Sequence, residues 1–167
     1  VYRDIALLEK TGGRLHVAHI SSKNSVELVR QAKSQGLSVT CEVAPHHFTL
    51  TDEAVRGYDT NTKMSPPLRT IKDVEAIKEG LSDGTVDIIA TDHAPHDIVD
   101  KQVEYQNACF GIVGLETALP LSLKLVEEKV LSISDVIKKL TSTPAEIFNL
   151  NAGSLSQGND ADILIFN

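Results

Sequence analysis

Three short apolar runs, "RLHVAHI" (14–20), "LSVTCEV" (37–43) and "TVDIIAT" (85–91), are rich in branched residues, and each gives way to a stretch with other periodicity. This alternation constrains the fold more than any other feature. Short branched runs read as buried strands, and strands that alternate with helices form a parallel sheet covered by those helices. The helical signals are local and specific. "NSVELVRQAKSQG" follows a Ser21-Ser22 cap, carries Val26, Val29, Ala32 and Lys33 at helical spacing, and stops at Gly36. "IKDVEAIKEGL" sets Ile71, Val74, Ile77 and Leu81 on one side. "GLETALPLSLKLVEEK" reads as a long helix bent or restarted at Pro120. "SDVIKKL" and "TPAEIFNL" read as two more, each behind a Ser or Thr cap, the second with proline at its first position. "TDEAVRG" is a short helix with an acidic first turn, and the tandem prolines of "KMSPPLR" (63–69) force a loop.

Two architectures fit such a pattern, an open doubly wound sheet and a (β/α)₈ barrel. The polar residues at the strand ends separate them. His19, Glu42 and Asp92 each close a different strand. A barrel gathers those ends into one bowl, whereas an open sheet spreads them along a line, so the barrel is the expected fold. Three strands make only its closing portion, with about five strand–helix units to be found elsewhere at a typical barrel length of ~250 residues. The opening "VYRDIALLEKTGG" lacks an initiating methionine and reads as the second half of a helix, which also suggests a piece of a longer protein. We expect residues 1–150 to be the barrel portion and 151–167 a separate unit, in which Gly153 and Gly158 make turns and "ADILIF" forms a strand.

Composition narrows the partners. A net charge of −7, with Lys138-Lys139 the densest basic pair, offers no patch for nucleic acid or an anionic membrane surface. No apolar run is long enough to span a bilayer and no secretory leader is visible. Two widely spaced cysteines, Cys41 and Cys109, match no metal or redox motif and point to a reducing, cytoplasmic setting with both thiols free.

The chemistry concentrates where "DIIATDHAPH" (87–96) breaks from an apolar strand into Asp92, His93 and His96. Imidazole nitrogen and carboxylate oxygen are the ligands of a catalytic Zn²⁺, which lowers the pKa of water toward neutrality. His19 and Asp92 are the candidate ligands, and Asp92 could also accept a proton and return it to a leaving nitrogen. In "HVAHI", strand alternation lets only one of His16 and His19 face a barrel interior. His19, nearer the strand end, is the better choice, which leaves His16 to pack outward against a helix. Glu42, His46 and His47 follow the second strand, and a carboxylate there could orient a ligand imidazole. Ser65 and Arg69 lie on the proline-fixed loop, where substrate contacts are often held. Gly111, after Phe110, would let the backbone approach a ligand and offer it an amide.

"HVAHISS", "TCEVAPHH", "PPLR", "IIATDHAPH" and "FGIVGLETALPL", in this order, closely resemble the bacterial class I dihydroorotases. "G-x-x-x-x-G-x-x-ADILIF" resembles the closing β-segment of the wider cyclic-amidohydrolase superfamily. The resemblance implies reversible interconversion of N-carbamoyl-L-aspartate and L-dihydroorotate, in pyrimidine biosynthesis, on a binuclear zinc site in a (β/α)₈ barrel. It makes His19 a zinc ligand on about the sixth strand and Asp92, on the eighth, the ligand that doubles as general base and acid. His96 and the Phe110–Gly111 pair fall at substrate-binding positions. So does Ser65, which stands where the family usually has the asparagine of "NPPLR" and is shorter than that residue.

The family's H-x-H, bridging carboxylate and other metal-binding histidine have no counterpart here, so the isolated segment is expected to be inactive. The resemblance also brings into view a homodimer or association with aspartate transcarbamoylase. Two alternatives stand beside it: a dihydropyrimidinase or allantoinase, and a non-catalytic relative that scaffolds aspartate transcarbamoylase.

Overall fold

A computed structural model describes residues 1–166 and shows an α/β chain built on a three-stranded parallel sheet. Helix α1 (Tyr2–Thr11) leads into β1 (Leu15–Val17), and α2 (Lys23–Ser34) crosses to β2 (Val39–Val43). A short α3 (Pro45–Thr49), two 3₁₀ turns (Asp52–Val55 and Thr60–Thr62) and α4 (Ile71–Ser82) precede β3 (Ile88–Ile89). After the one-turn α5 (Ile98–Lys101), the chain ends in α6 (Ala118–Glu127), α7 (Ile133–Leu140) and α8 (Ser142–Phe148). The order β1-β2-β3 follows the chain, with Leu15 opposite Val39 and Glu42 opposite Ile88.

The two faces of the sheet differ. Val39, Cys41 and Val43 of β2 are buried against Val26, Val29 and Ala32 of α2 and Ile77 and Leu81 of α4, a core that Leu125 of α6 and Val136 of α7 extend. The alternate residues Thr40 and Glu42 stay partly exposed on the other face. Helices α2, α4, α6 and α7 on one face and polar side chains on the other fit the layering of a barrel wall, whereas a doubly wound sheet carries its crossover helices on both. The Ser22 hydroxyl caps α2 by accepting from the Ser25 amide, and Gly36, at φ 78°, turns the chain back.

Asp87 locks the ladder at the end where the strands begin. One of its oxygens accepts from the Cys41 amide at 2.8 Å while the other pairs with Lys33 at 2.6 Å, and Lys139 donates to the neighbouring Val86 carbonyl. Lys33 thus reaches past the apolar stripe of α2 to the sheet edge.

Several expectations need correction. The runs 14–20 and 85–91 pair over three and two residues only. "TDEAVRG" forms a 3₁₀ turn, and Ile71 is exposed although Val74, Ile77 and Leu81 are buried. Helix α6 is neither bent nor restarted at Pro120: it begins at Ala118, and a proline in the first turn lacks only an amide that has no helical partner. Pro144 is the third residue of α8, not the first. "ADILIF" forms no strand, and Ile163, Leu164 and Ile165 are exposed. A strand needs a neighbour to take its backbone bonds, and none reaches this segment among the described residues.

Burial pushes the Cys41 thiol up to about 12. At pH 8 iodoacetamide should therefore leave Cys41 unmodified in the folded protein and label it in urea, whereas the half-buried Cys109 should react first. Peptide mapping by mass spectrometry checks this order.

Candidate active site

Both nominated residues stand just past strand ends in unusual backbone. His19 has φ 36° and Asp92 has φ 48°, a left-handed conformation that non-glycine residues seldom adopt without a supporting structure. The support is visible. The amide of Ile20 donates to Glu42 O at 2.9 Å and that of Ala90 to Val43 O at 3.0 Å, so β2 holds both rims.

Between them stands α3, whose Pro45 occupies the first helical turn and whose His46 and His47 are almost wholly buried. The His46 and His47 rings meet edge to face at 4.3 Å between centroids. His46 Nε2 lies 4.0 Å from Asp92 Oδ2, beyond hydrogen-bond reach. His47 Nε2 donates to the Pro66 carbonyl at 3.0 Å, which leaves its Nδ1 with a lone pair. Four buried atoms consequently have no partner: His19 Nδ1, His46 Nε2, His47 Nδ1 and Asp92 Oδ2. Such groups each cost about 1–3 kcal/mol when left unpaired, so their concentration at one rim calls for an occupant. Three imidazoles and a carboxylate are donor types that zinc takes, although no three of them bring ligating atoms within 4.8 Å of one another among the described residues.

The electrostatics agree with that fit. Burial, then the neighbouring His47 and His19, push His46 down to about 3, and burial also lowers His47. Histidine ligates only when neutral, so a site that keeps its imidazoles uncharged keeps their lone pairs available.

His16 does not pack outward as expected. On the open face of the sheet its Nδ1 meets Thr40 Oγ1 at 2.8 Å and its Nε2 meets Glu42 Oε2 at 3.0 Å, with Phe148 edge-on at 5.0 Å. Strand β1 ends at Val17, so the two-residue alternation used to choose between the histidines does not extend to His19. Glu42 does orient an imidazole, but that of His16.

The residues expected to touch substrate form a second group. His96 Nε2 donates to the Phe110 carbonyl at 2.8 Å, and the exposed Phe110 ring lies 4.6 Å beneath the Lys63 ammonium. The Gly111 amide, expected to serve a ligand, is already given to Lys63 O at 2.9 Å. Gly111 is required for another reason: a Cβ there would stand 2.3 Å from Ala94 O and 2.8 Å from His96. Ser65 is exposed on the proline loop. Arg69, on the same loop, donates to Ser21 Oγ at 3.4 Å and so ties it to the His19 rim.

Sequence reasoning missed the burial of His46 and His47, although Pro45 directly after a strand is a helix-start signal. It also missed Lys101, whose Nζ donates to the carbonyls of Thr60, Cys109 and Gly111 and thereby clips residues 96–111 into a closed strap.

The chain matches the family model described as the Amidohydrolase family over residues 1–167. It is 59% identical over 165 residues to the dihydroorotase of Syntrophotalea carbinolica, covering 99% of this chain and 39% of that protein. It is 58% identical over 163 residues to the dihydroorotase of Trichlorobacter lovleyi, covering 98% of this chain and 38% of that protein. Among solved structures, the L-hydantoinase (dihydropyrimidinase) from Arthrobacter aurescens matches with a TM-score of 0.88 at 32% identity, over 95% of this chain and 37% of that one. The chain thus spans a little under two fifths of the length of each of these proteins.

The depressed His46 sets a pH dependence. Above its ordinary pKa of 6.5 both folded and unfolded states hold it neutral, so its contribution to stability is complete. Below 6.5 the unfolded state alone takes up the proton, and stability falls by about 1.4 kcal/mol per pH unit until the folded state also protonates. In metal-stripped protein the urea midpoint should fall from pH 6.5 to pH 5, ahead of most carboxylate titration. H46Q should flatten that fall.

Proposed function

Because the chain belongs to the amidohydrolase family, we propose that it is the C-terminal part of a dihydroorotase and supplies about strands six to eight of its (β/α)₈ barrel. The observation that carries this reading is the set of unpartnered imidazole and carboxylate atoms gathered at one rim, within a chain 58–59% identical to proteins named dihydroorotase. The complete protein would convert N-carbamoyl-L-aspartate and L-dihydroorotate reversibly, as a step of pyrimidine biosynthesis in the cytoplasm.

His19 and Asp92 would hold zinc, as part of a site for two ions that residues outside this chain complete. When bound, zinc supplies a nucleophilic water at neutral pH and polarises the carbonyl under attack. Asp92 has the mobile proton: in ring opening its carboxylate takes a proton from water and delivers it to the departing ring nitrogen, and ring closure reverses the transfer. His46 stays neutral beside it, so no imidazolium competes for the Asp92 charge. His96, Phe110, Gly111 and Ser65 would line the substrate's other side. His96 presents its remaining nitrogen, and Gly111 contributes closeness of backbone rather than a free amide. Residues 151–167 would belong to a separate β-segment, a role supported by the uncovered side chains of Ile163–Ile165.

The hydantoinase match at 32% identity keeps a related cyclic amidase in view, but the dihydroorotases share nearly twice that identity with this chain. Assays of the complete protein on dihydroorotate, dihydrouracil and hydantoin separate the two. Dihydroorotate should be the preferred substrate, and D92N should lower kcat by about 10²–10⁴ without loss of fold. Near-normal turnover in D92N, or a preference for hydantoin, would overturn the assignment.

A further inference from the structure

We propose that His96, Asp100 and Cys109 form a separate cation site, selective for a thiophilic divalent metal such as zinc, whose occupation blocks substrate contact. One ligating atom from each residue lies within 4.8 Å of those of the other two, the one such trio among the described residues. Its blocking role rests on the substrate position proposed for His96, whereas metal binding itself does not.

The chemistry of the trio selects the metal. A thiolate, an imidazole and a carboxylate suit zinc or cobalt and disfavour magnesium or calcium, which seek oxygen alone. With the imidazole neutral, the thiolate and carboxylate balance the charge of a divalent ion. Three ligands leave a further position for water to fill.

The trio is assembled in advance. His96 Nε2 donates to the Phe110 carbonyl, an acceptor only, so the ring is fixed in the tautomer that leaves Nδ1 its lone pair. Ligating histidines are held in this way by a backbone carbonyl on the other nitrogen. Asp100 lies in α5, capped by the Asp97 side chain, and its carbonyl accepts from the Cys109 amide at 3.3 Å. Lys101 then pins the Cys109 and Gly111 carbonyls at 2.8 and 2.7 Å. His96 and Asp100 are exposed and Cys109 half-buried, so the ion can enter from solvent.

An ion here would immobilise His96 and the adjoining Phe110–Gly111 segment and occupy the nitrogen that substrate would use. The chain would then carry two sites of opposite effect, one at the Asp92 rim that supports turnover and one on the strap that stops it.

Titrating the complete protein, with its catalytic metal in place, against Co²⁺ tests the site. A thiolate-to-cobalt charge-transfer band should appear with one added equivalent, vanish in C109S and C109A, and weaken in D100N. Excess Zn²⁺ should inhibit dihydroorotate turnover, with at least about tenfold more needed in C109S, whose basal activity should be normal. A band absent from the wild type or retained in C109S overturns the site. A Cys109-dependent band with unimpaired turnover overturns the blocking role alone. A Cys109-dependent band in a protein that never turns over dihydroorotate upholds the site and sinks the assignment as a dihydroorotase.

Discussion

Parallel pairing of β1, β2 and β3 is the constraint on which the site depends. Strands that run the same way deliver their carboxyl ends to one rim, and here those ends lead into His19, α3 and Asp92. Register matters as much as direction, because a slip of one residue would turn Glu42 toward the helices and Val43 toward the open face. Asp87 guards against that slip from the opposite edge. Its bonds to the Cys41 amide and the Lys33 ammonium join β2, β3 and α2 at one carboxylate. A half-buried ion pair of this kind contributes little net stability, and its value lies in the geometry it permits.

The rim itself is held in an unfavourable arrangement. Two left-handed residues and four unpaired buried polar atoms sit together, and only the surrounding ladder and α3 keep them there. Removing the polarity would be the simple way to stabilise the fold, so its retention points to chemistry. Burial does a second thing. By holding His46 and His47 neutral, it turns what would be two mutually repelling cations into imidazoles that can offer lone pairs to a cation.

Much of this was legible in the sequence, because its signals are local. Branched runs ended by polar residues located the strands, and Val26, Val29 and Ala32 or Val74, Ile77 and Leu81 marked helix faces that are buried. What escaped was whatever depends on where a strand stops. The run 14–20 is apolar for seven residues but pairs for three, so alternation assigned His16 to the wrong face. The Gly111 amide looked available because its acceptor, Lys63 O, is distant in sequence. "ADILIF" has every local mark of a strand, yet pairing is a property of two segments and only one is present among the described residues. His46 and His47 were identifiable as polar groups near the site, but their burial follows from packing that periodicity does not report.

The strap and the rim are mechanically one unit, which bears on how events at one could reach the other. His93, the residue after Asp92, bridges to Ile112, and its Nδ1 accepts from the amides of both Gly114 and Leu115 at 3.1 Å. Gly111 and Gly114 lie so close to Ala94 O and Thr91 O that a methyl group at either would meet a backbone oxygen at 2.3 or 2.5 Å. Residues 91–94 and 111–115 are therefore joined by close backbone contacts and by the His93 bonds. A group that shifts Phe110 or Gly111 must pull on the segment that sets the backbone of Asp92. That backbone is in a sparsely populated conformation, which persists only because its surroundings over-determine it, so a shift of the strap acts on the support that sets the direction of the carboxylate.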